Sequence, residues 1–539
     1  MIVDPALLLA TVPRADPIHI WAKAAIFDPP LQGALATSFG LLPVDRGKKD
    51  YSSLYASTIA CFDEGGVVAV FPEGTSYTQP HLYHLKDGAA WAALTHTFHL
   101  VRNWASRSAS SPVSPLPTPP AESGNVHGDV PDTLAEMDVG AVLADIGFKE
   151  RTAAIVPVGL TYVQKHKWRS SVVVQFGQAI EPTEYVAQFQ KDQKSAVKKL
   201  TADLTTRMLE VTVNAPTWSD FDVANTARRI ILPYPHLPLS LYPQATQALA
   251  DLFRTRELVL EVDTWDYSKG KERLYKPDVT ATQNTEPKSA PLPADLASIR
   301  NRLEDYAERL RSLSLVDLEV KRFSPQGNPI GAALRVLRSA VVWVLGLPVF
   351  VPMQVIAAPV QLPAYLVARN EKYMESKAMK KMVVSVLATP VVYSAFAFFL
   401  WRKMRDTFTL ALFLGSFPIL TATYLSLYDS RSDALRDLVG TYHLLLALAG
   451  PESSRAALAD LVALRAQLQH DLRLAVGRYA VLPRDARASA LVNVDGKKDT
   501  VQVDAARFVE ATRKLLKVVE VLEKETLTKG NGRRASVAE

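Results

Sequence analysis

A chain of 539 residues, 48% hydrophobic and 22% charged, is too long for one ordinary core and divides into two or three structural units. The formal net charge of +6 suits an anionic partner, such as a phosphorylated small molecule or an anionic membrane face, and is too diffuse to argue for nucleic acid. The single cysteine, Cys61, excludes internal disulfides and cysteine-based metal sites, and its apolar surroundings mark it as a small buried residue.

The chain opens on MIVDPALLLATV, an apolar stretch that reads as the end of a strand followed by a helix. Asp4 would cap that helix, with Pro5 at its first position. The basic-then-apolar order of a secretory signal is missing. His19 to Phe27 reads as a strand, Leu31 to Phe39 as a short helix, and Gly40 to Val44 as a strand ending in Asp45-Arg46. Ser52 to Phe62 has helical composition and stops at Gly65-Gly66. Val67 to Phe71 is the next strand, halted by Pro72. Glu73, Gly74, Thr75 and Ser76 form a polar turn, after which Leu85, Gly88, Ala89 and Ala92 recover helical spacing. This alternation argues for an α/β layer architecture. A turn between a buried strand and a helix belongs at the carboxyl edge of a sheet, where ligands of such folds bind. The same residues also fit an ordinary β-to-α loop.

From Ser108 to Asp132 the composition turns to Ser, Pro, Gly and Thr, too polar to bury a core, so 108–132 is expected to be a disordered insertion. A helical piece at Thr133 to Ile146 follows. Strands are expected at Ala153 to Val158 and Ser171 to Phe176, flanking a basic loop from Tyr162 to Ser170. Thr183 to Val211 is a charged helical run, and the pair Arg228-Arg229 precedes a proline-rich connection. The first unit therefore spans 1–262, with 263–295 as a linker. Within 296–330, Ile299, Leu303, Tyr306, Leu310 and Leu313 make the apolar stripe of an amphipathic helix, suited to packing on a core or lying on a membrane.

Residues 331–428 hold three apolar stretches. Ala340 to Val367 is broken by Pro348, Pro352, Pro359 and Pro363, and fits a span, a re-entrant hairpin or an interfacial hairpin. Met382 to Trp401 and Thr407 to Tyr428 carry no charge in their interiors; each approaches the roughly 20 residues that cross a bilayer, and the pair also fits helices buried in a large soluble core. The charges give no orientation: Arg402 and Arg405 lie on one side of the Met382 segment, and Lys372, Lys377, Lys380 and Lys381 on the other. Residues 429–525 return to helices. Leu458, Leu461, Leu464, Leu468 and Leu472 form one stripe, and Phe508, Leu515, Val519 and Leu522 another. Residues 526–539 read as a disordered tail.

FPEGTS followed by LKDGAAWAAL closely resembles the third sequence block of the phospholipid/glycerol acyltransferase superfamily. In its extended form, with SYT and KDGAAW, it is most similar to the fungal-type glycerol-3-phosphate and dihydroxyacetone-phosphate O-acyltransferases. GLLPVDR, from Gly40 to Arg46, resembles the second block, and VPVG, from Val156 to Gly159, the fourth. The fold expected is an α/β catalytic domain, a mixed sheet flanked by helices, followed by transmembrane helices and a C-terminal helical region.

The resemblance implies roles for particular residues. Arg46, Glu73 and Gly74 would bind the acyl acceptor, the arginine gripping its phosphate through a planar fork. Pro157 would lie on the acyl-donor side. Lys165, Lys167 and Arg169 fit either contacts to coenzyme A phosphates or a solvated basic loop. In the family a histidine acts as general base within H-x-x-x-x-D, and the aspartate orients it. Asp4 matches that aspartate, and its histidine would fall upstream of Met1, so the chain as written is expected to be nearly inactive. His127 and Asp132 share the spacing but sit in the proline-rich insertion, a chance pairing, and His19 in its strand reads as structural.

The activity implied is transfer of a fatty acyl group from acyl-CoA to glycerol 3-phosphate or dihydroxyacetone phosphate, with no metal or redox cofactor. Its expected place is a membrane, the endoplasmic reticulum, with the catalytic domain on the cytoplasmic side. The alternatives are a lysophospholipid acyltransferase and a non-catalytic membrane scaffold derived from the family.

Overall fold

The computed structural model describes residues 3–12, 18–28, 30–44, 52–74, 79–108, 152–163, 171–232, 238–256, 258, 292–322, 329–369, 374–481, 510–519 and 521. The expected insertion at 108–132, the helical piece after it, most of the linker and the tail lie outside these residues.

The N-terminal part alternates helix and strand: α1 (Val3–Thr11), β1 (Ile18–Lys23), α2 (Pro30–Ser38), β2 (Leu41–Val44), α3 (Ser52–Asp63), β3 (Val67–Ala69) and α4 (Gly88–Ser108). The three strands form a parallel sheet in the order β2-β1-β3. Ile18 and Ile20 of β1 are buried beneath the helices, as a covered parallel strand requires. Trp21, between them and the strand end, donates its indole N–H to Thr58 Oγ1 of α3 at 3.1 Å. The strand expected to reach Phe27 stops at Lys23 and passes into a 3-10 turn, Ala24–Ile26. Asp4 lies within α1 rather than ahead of it, since the helix is already formed at Val3.

A second, antiparallel pair follows: β4 (Val158–Tyr162) and β5 (Val172–Phe176), extended by a single bridge between Ile155 and Ile180. The strand expected at Ala153 to Val158 therefore runs one strand-length later. Two helices come next, α5 (Val186–Lys191) and α6 (Gln193–Val211). The expected single run breaks at Asp192, whose extended backbone and carboxylate cap α6 through Ser195 N at 3.2 Å. Leu82, Leu85, Leu94, Phe189, Leu200 and Leu204 make the core that binds α4 to α5 and α6.

The larger core lies in a helical bundle. It unites α7 (Trp218–Ile231), α8 (Tyr242–Phe253), α9 (Ala294–Ser312), α10 (Asp317–Arg322), the far end of α14 (Thr407–Ala449), α15 (Glu452–Val481) and residues 511–518. The stripe Ile299, Leu303, Tyr306 and Leu310 of α9 is buried here, opposite Leu458, Leu461, Leu468 and Leu472 of α15. Two charged pairs are sealed inside. Arg300 reaches Asp220 Oδ1 at 2.7 Å and the Phe253 carbonyl at 2.8 Å. Arg465 grips Asp317 in two-pronged fashion, at 2.8 and 3.1 Å, while Tyr306 donates to the same carboxylate at 2.8 Å.

Between α10 and α15 run the apolar helices α11 (Pro329–Leu345), α12 (Leu347–Arg369), α13 (Met374–Met404) and α14. Two segments, Leu347–Arg369 and Lys380–Lys403, are long and apolar enough to cross a membrane. A third candidate consists of Leu410–Ser416 and Thr421–Ala449, bent by 45° at a break that contains Pro418. Pro352, Pro359 and Pro363 lie inside α12, which neighbouring helices in a membrane tolerate. Tyr424 of α14 donates to Gln354 of α12 at 3.0 Å, and Gln354 donates to Gln361 on the same helix at 2.7 Å, so the polar groups satisfy one another. The expected arrangement of an α/β domain, apolar helices and C-terminal helices is thus present, with more helix than strand.

Removing one partner of a sealed ion pair strands the other charge. Asp317→Ala is expected to cost about 3–5 kcal/mol by isolating Arg465, whereas Asp317→Leu with Arg465→Met should recover most of that loss; thermal melts of the two variants check this.

Candidate active site

Parallel pairing sets the geometry. With β2 and β3 on opposite sides of β1, the connections leaving their carboxyl ends emerge at the same sheet edge, the place where open α/β folds bind ligands. Lys23 ends β1 there, opposite Val44, the last described residue before Asp45-Arg46. Arg46 itself lies outside the described residues, as do Lys165, Lys167 and Arg169.

From β3 the chain continues through Val70, Phe71 and Pro72 into the turn at Glu73 and Gly74. Gly74 N–H donates to the Phe71 carbonyl at 3.1 Å, and Gly74 has φ +67°, a left-handed conformation that favours glycine. Lys86 N–H donates to the Pro72 carbonyl at 2.8 Å, closing the loop onto its own start. The descending side of that loop is fastened elsewhere. Leu82 N–H donates to Asn214 Oδ1 at 2.7 Å, and Ala215 N–H to the Pro80 carbonyl at 2.9 Å. Asp87, buried at the start of α4, pairs with Lys198 of α6 at 2.6 Å.

Asp4 is half-buried on α1, and the Tyr162 hydroxyl, at the end of β4, donates to its Oδ1. Burial and this carboxylate both push the Tyr162 phenol well above its ordinary range, so it stays protonated as a donor. Asp4, the residue that matches the aspartate of the first block, is therefore tied to the end of β4, the strand that begins within the fourth. Pro157 is buried just ahead of β4 and accepts Gly177 N–H at 2.8 Å. Gly159 lies against the end of α6: a methyl there would stand 1.9 Å from the Val211 carbonyl oxygen. At Gly159 the strand therefore approaches the helix at a distance that only a glycine allows.

The tyrosine was not visible as a site residue in the sequence, where Tyr162 merely opens the basic loop. A second feature was also missed. His96 on α4 is 1% exposed, and its Nε2 lies 3.3 Å from Asp63 Oδ1. Burial lowers its proton affinity against the pull of Asp63. This histidine–aspartate pair joins α3 and α4 at the end that precedes β3, away from the Glu73 turn, and serves packing. His19 is likewise structural, its Nδ1 3.1 Å from the Gly40 carbonyl. Cys61 is buried, and burial followed by Glu64 raises its thiol. Among the described residues no cluster of His, Cys, Asp and Glu has the form of a metal site.

Residues 1–106 match the family described as Acyltransferase. That match covers the N-terminal part of the chain and supports its likeness to the phospholipid/glycerol acyltransferase superfamily. Among characterised sequences it is similar to glycerol-3-phosphate O-acyltransferase 2 of Saccharomyces cerevisiae, 24% identical over 382 residues, 70% of this chain and 38% of the relative. Glycerol-3-phosphate O-acyltransferase 1 of the same yeast is 26% identical over 188 residues, 34% of this chain and 18% of the relative. An uncharacterized acyltransferase of Schizosaccharomyces pombe is 26% identical over 172 residues, 32% of this chain and 18% of the relative. The chain spans less than two fifths of the length of these relatives. No solved structure matches it.

Two outcomes test this geometry. Tyr162→Phe should cost about 1.5 kcal/mol of stability, and Asp4→Asn combined with it should cost less than the sum of the two, because both break one bond; thermal melts of the single and double variants read the coupling. For His96, unfolding restores the ordinary proton affinity near 6.5, so the unfolded chain binds more protons as pH falls through that value. Stability should therefore decline on acidification from pH 7 to 5, and His96→Gln should flatten the decline in melts taken across that range.

Proposed function

We propose that this acyltransferase moves a fatty acyl group from acyl-CoA to glycerol 3-phosphate or dihydroxyacetone phosphate at a membrane surface. The observation that carries the reading is the Glu73-Gly74 turn at the carboxyl edge of β3, within the block that resembles the fungal-type enzymes. The names of the two yeast relatives support the same acceptor class.

In this reading the acceptor lies at the sheet edge, with its phosphate toward Arg46 and a hydroxyl toward the reacting thioester. Glu73 carries the wrong charge to hold a phosphate, so it orients Arg46 or an acceptor hydroxyl. A histidine of the family's first block removes the hydroxyl proton as the oxygen attacks the thioester carbonyl, and coenzyme A leaves as its thiol. Asp4 orients that ring: Tyr162 engages Oδ1, and a carboxylate has a second oxygen with which to accept a ring N–H. The reaction so written calls for no metal or redox cofactor. Lys165, Lys167 and Arg169 follow β4 closely enough in sequence to meet the phosphates of coenzyme A.

The apolar helices support a bilayer surface as the place of this chemistry, which suits a lipid-soluble acyl chain and a water-soluble acceptor. The endoplasmic reticulum, with the catalytic domain facing the cytoplasm, is the site proposed.

The test is an acceptor panel in membranes from cells expressing the protein, with a long-chain acyl-CoA as donor. Acylation of glycerol 3-phosphate or dihydroxyacetone phosphate in preference to lysophosphatidate is the expected result. Preference for lysophosphatidate would move the assignment to a lysophospholipid acyltransferase. Binding of acceptor and donor without transfer to any acceptor would favour the non-catalytic scaffold.

A further inference from the structure

The loop from Glu73 to Lys86 leaves the sheet edge and returns to it. Its return point is fixed by main chain alone, through the 2.8 Å bond from Lys86 N–H to the Pro72 carbonyl. Lys86 thus begins its side chain directly beside the Glu73 turn. The side chain then runs across Gly74. A methyl on Gly74 would stand 2.8 Å from Lys86 Cε and 3.0 Å from both Cδ and Nζ. The space that glycine leaves empty is filled by the lysine, up to and including its ammonium. Lys86 is exposed along this path, so the charged head meets solvent at the carboxyl edge of β3. The neighbouring carboxylate, Asp87, is engaged by Lys198 at 2.6 Å.

We propose that Lys86 is an acceptor-binding residue, its ammonium laid across Gly74 to hold the phosphate monoester of the acyl acceptor. This rests on the acyl-acceptor reading of the same turn. Glu73 puts a negative charge where a doubly charged phosphate must come, and a compact cation with three donors within the same turn offsets it. Lys86 follows β3 and precedes α4, so its ammonium reaches the turn at the carboxyl edge of the sheet. Gly74 has two duties in this arrangement: its left-handed backbone makes the turn, and its missing side chain opens the groove in which Lys86 lies.

The experiment measures equilibrium binding to the full chain in lipid nanodiscs, by titration calorimetry at fixed salt. The probes are glycerol 3-phosphate, lysophosphatidate, glycerol and coenzyme A; the variants are Lys86→Met, Lys86→Arg and Gly74→Ala. Loss of one charge-assisted contact predicts that Lys86→Met weakens glycerol 3-phosphate binding about tenfold or more, with coenzyme A affinity unchanged. Lys86→Arg should restore part of the affinity. Gly74→Ala, which displaces the lysine, should weaken phosphate binding in the same direction. The same loss on lysophosphatidate instead of glycerol 3-phosphate would keep the phosphate role and assign the larger acceptor. Unchanged binding in Lys86→Met overturns the role of Lys86 while leaving the acceptor reading intact. Equal losses for coenzyme A and acceptor would also overturn it, as a general effect of charge. Absence of phosphorylated-acceptor binding by the unaltered protein would overturn both.

Discussion

The site depends on one constraint, the parallel pairing of β1 with a strand on each side. Parallel strands share a direction, so the segments leaving β2 and β3 cannot avoid one another; they leave at the same edge. The register fixes how far each reaches, with Lys23 opposite Val44 and Ile20 opposite Ala69. Trp21 makes that edge stiff. Its ring is hydrogen-bonded to α3 through Thr58 and packs so close to Gly88 that a methyl there would lie 2.9 Å from it. The first turn of α4, and the loop leading into it, are therefore set by a residue on the central strand.

A second layer of the argument lies in how distant segments are fastened to this edge. The loop between the Glu73 turn and α4 is held by Asn214 and Ala215, and Asn214 in turn accepts support from Gln247 of α8, its N–H donating to Gln247 Oε1 at 2.6 Å. Tyr162 links Asp4 to β4, and Val163, the next residue, packs on the bundle core. Parts of the chain more than 100 residues apart thus converge on the N-terminal sheet, which alone has only three short strands and little capacity to hold a rigid site.

The sequence was most informative where a local pattern fixes a local structure. The order of strands and helices from α1 to α4 followed from apolar runs and their breakers, and the apolar helices from the absence of charge. What it could not show was pairing. The stretch from Ile155 to Tyr162 is apolar enough for any part of it to be strand, and only the approach of β5 settles that Val158–Tyr162 pairs while Ile155 makes a lone bridge. The stripe on α9 announced a buried face without naming its cover, which proved to be α7, α8 and α15. Of the candidate site, the turn at Glu73 and Gly74 could be read from its block, because a turn is written in consecutive residues. Tyr162 could not: its partner, Asp4, lies 158 residues away. Lys86 escaped for a different reason. Its significance comes from the direction of a side chain, which spacing does not encode.

The helix from Thr407 to Ala449 begins among the apolar segments and ends with Leu444, Ala447 and Leu448 inside the bundle core. No loop intervenes between the two environments. Arg431, partway along it, donates to the Val342 carbonyl at 2.8 Å, tying the same shaft to α11. Past the 45° bend at Pro418 the helix runs unbroken from apolar surroundings into the bundle. Were its apolar part to cross a bilayer, a tilt imposed on it by a thicker or thinner hydrocarbon layer would be carried into the bundle. The seating of the bundle would then depend on the lipid as well as on the protein.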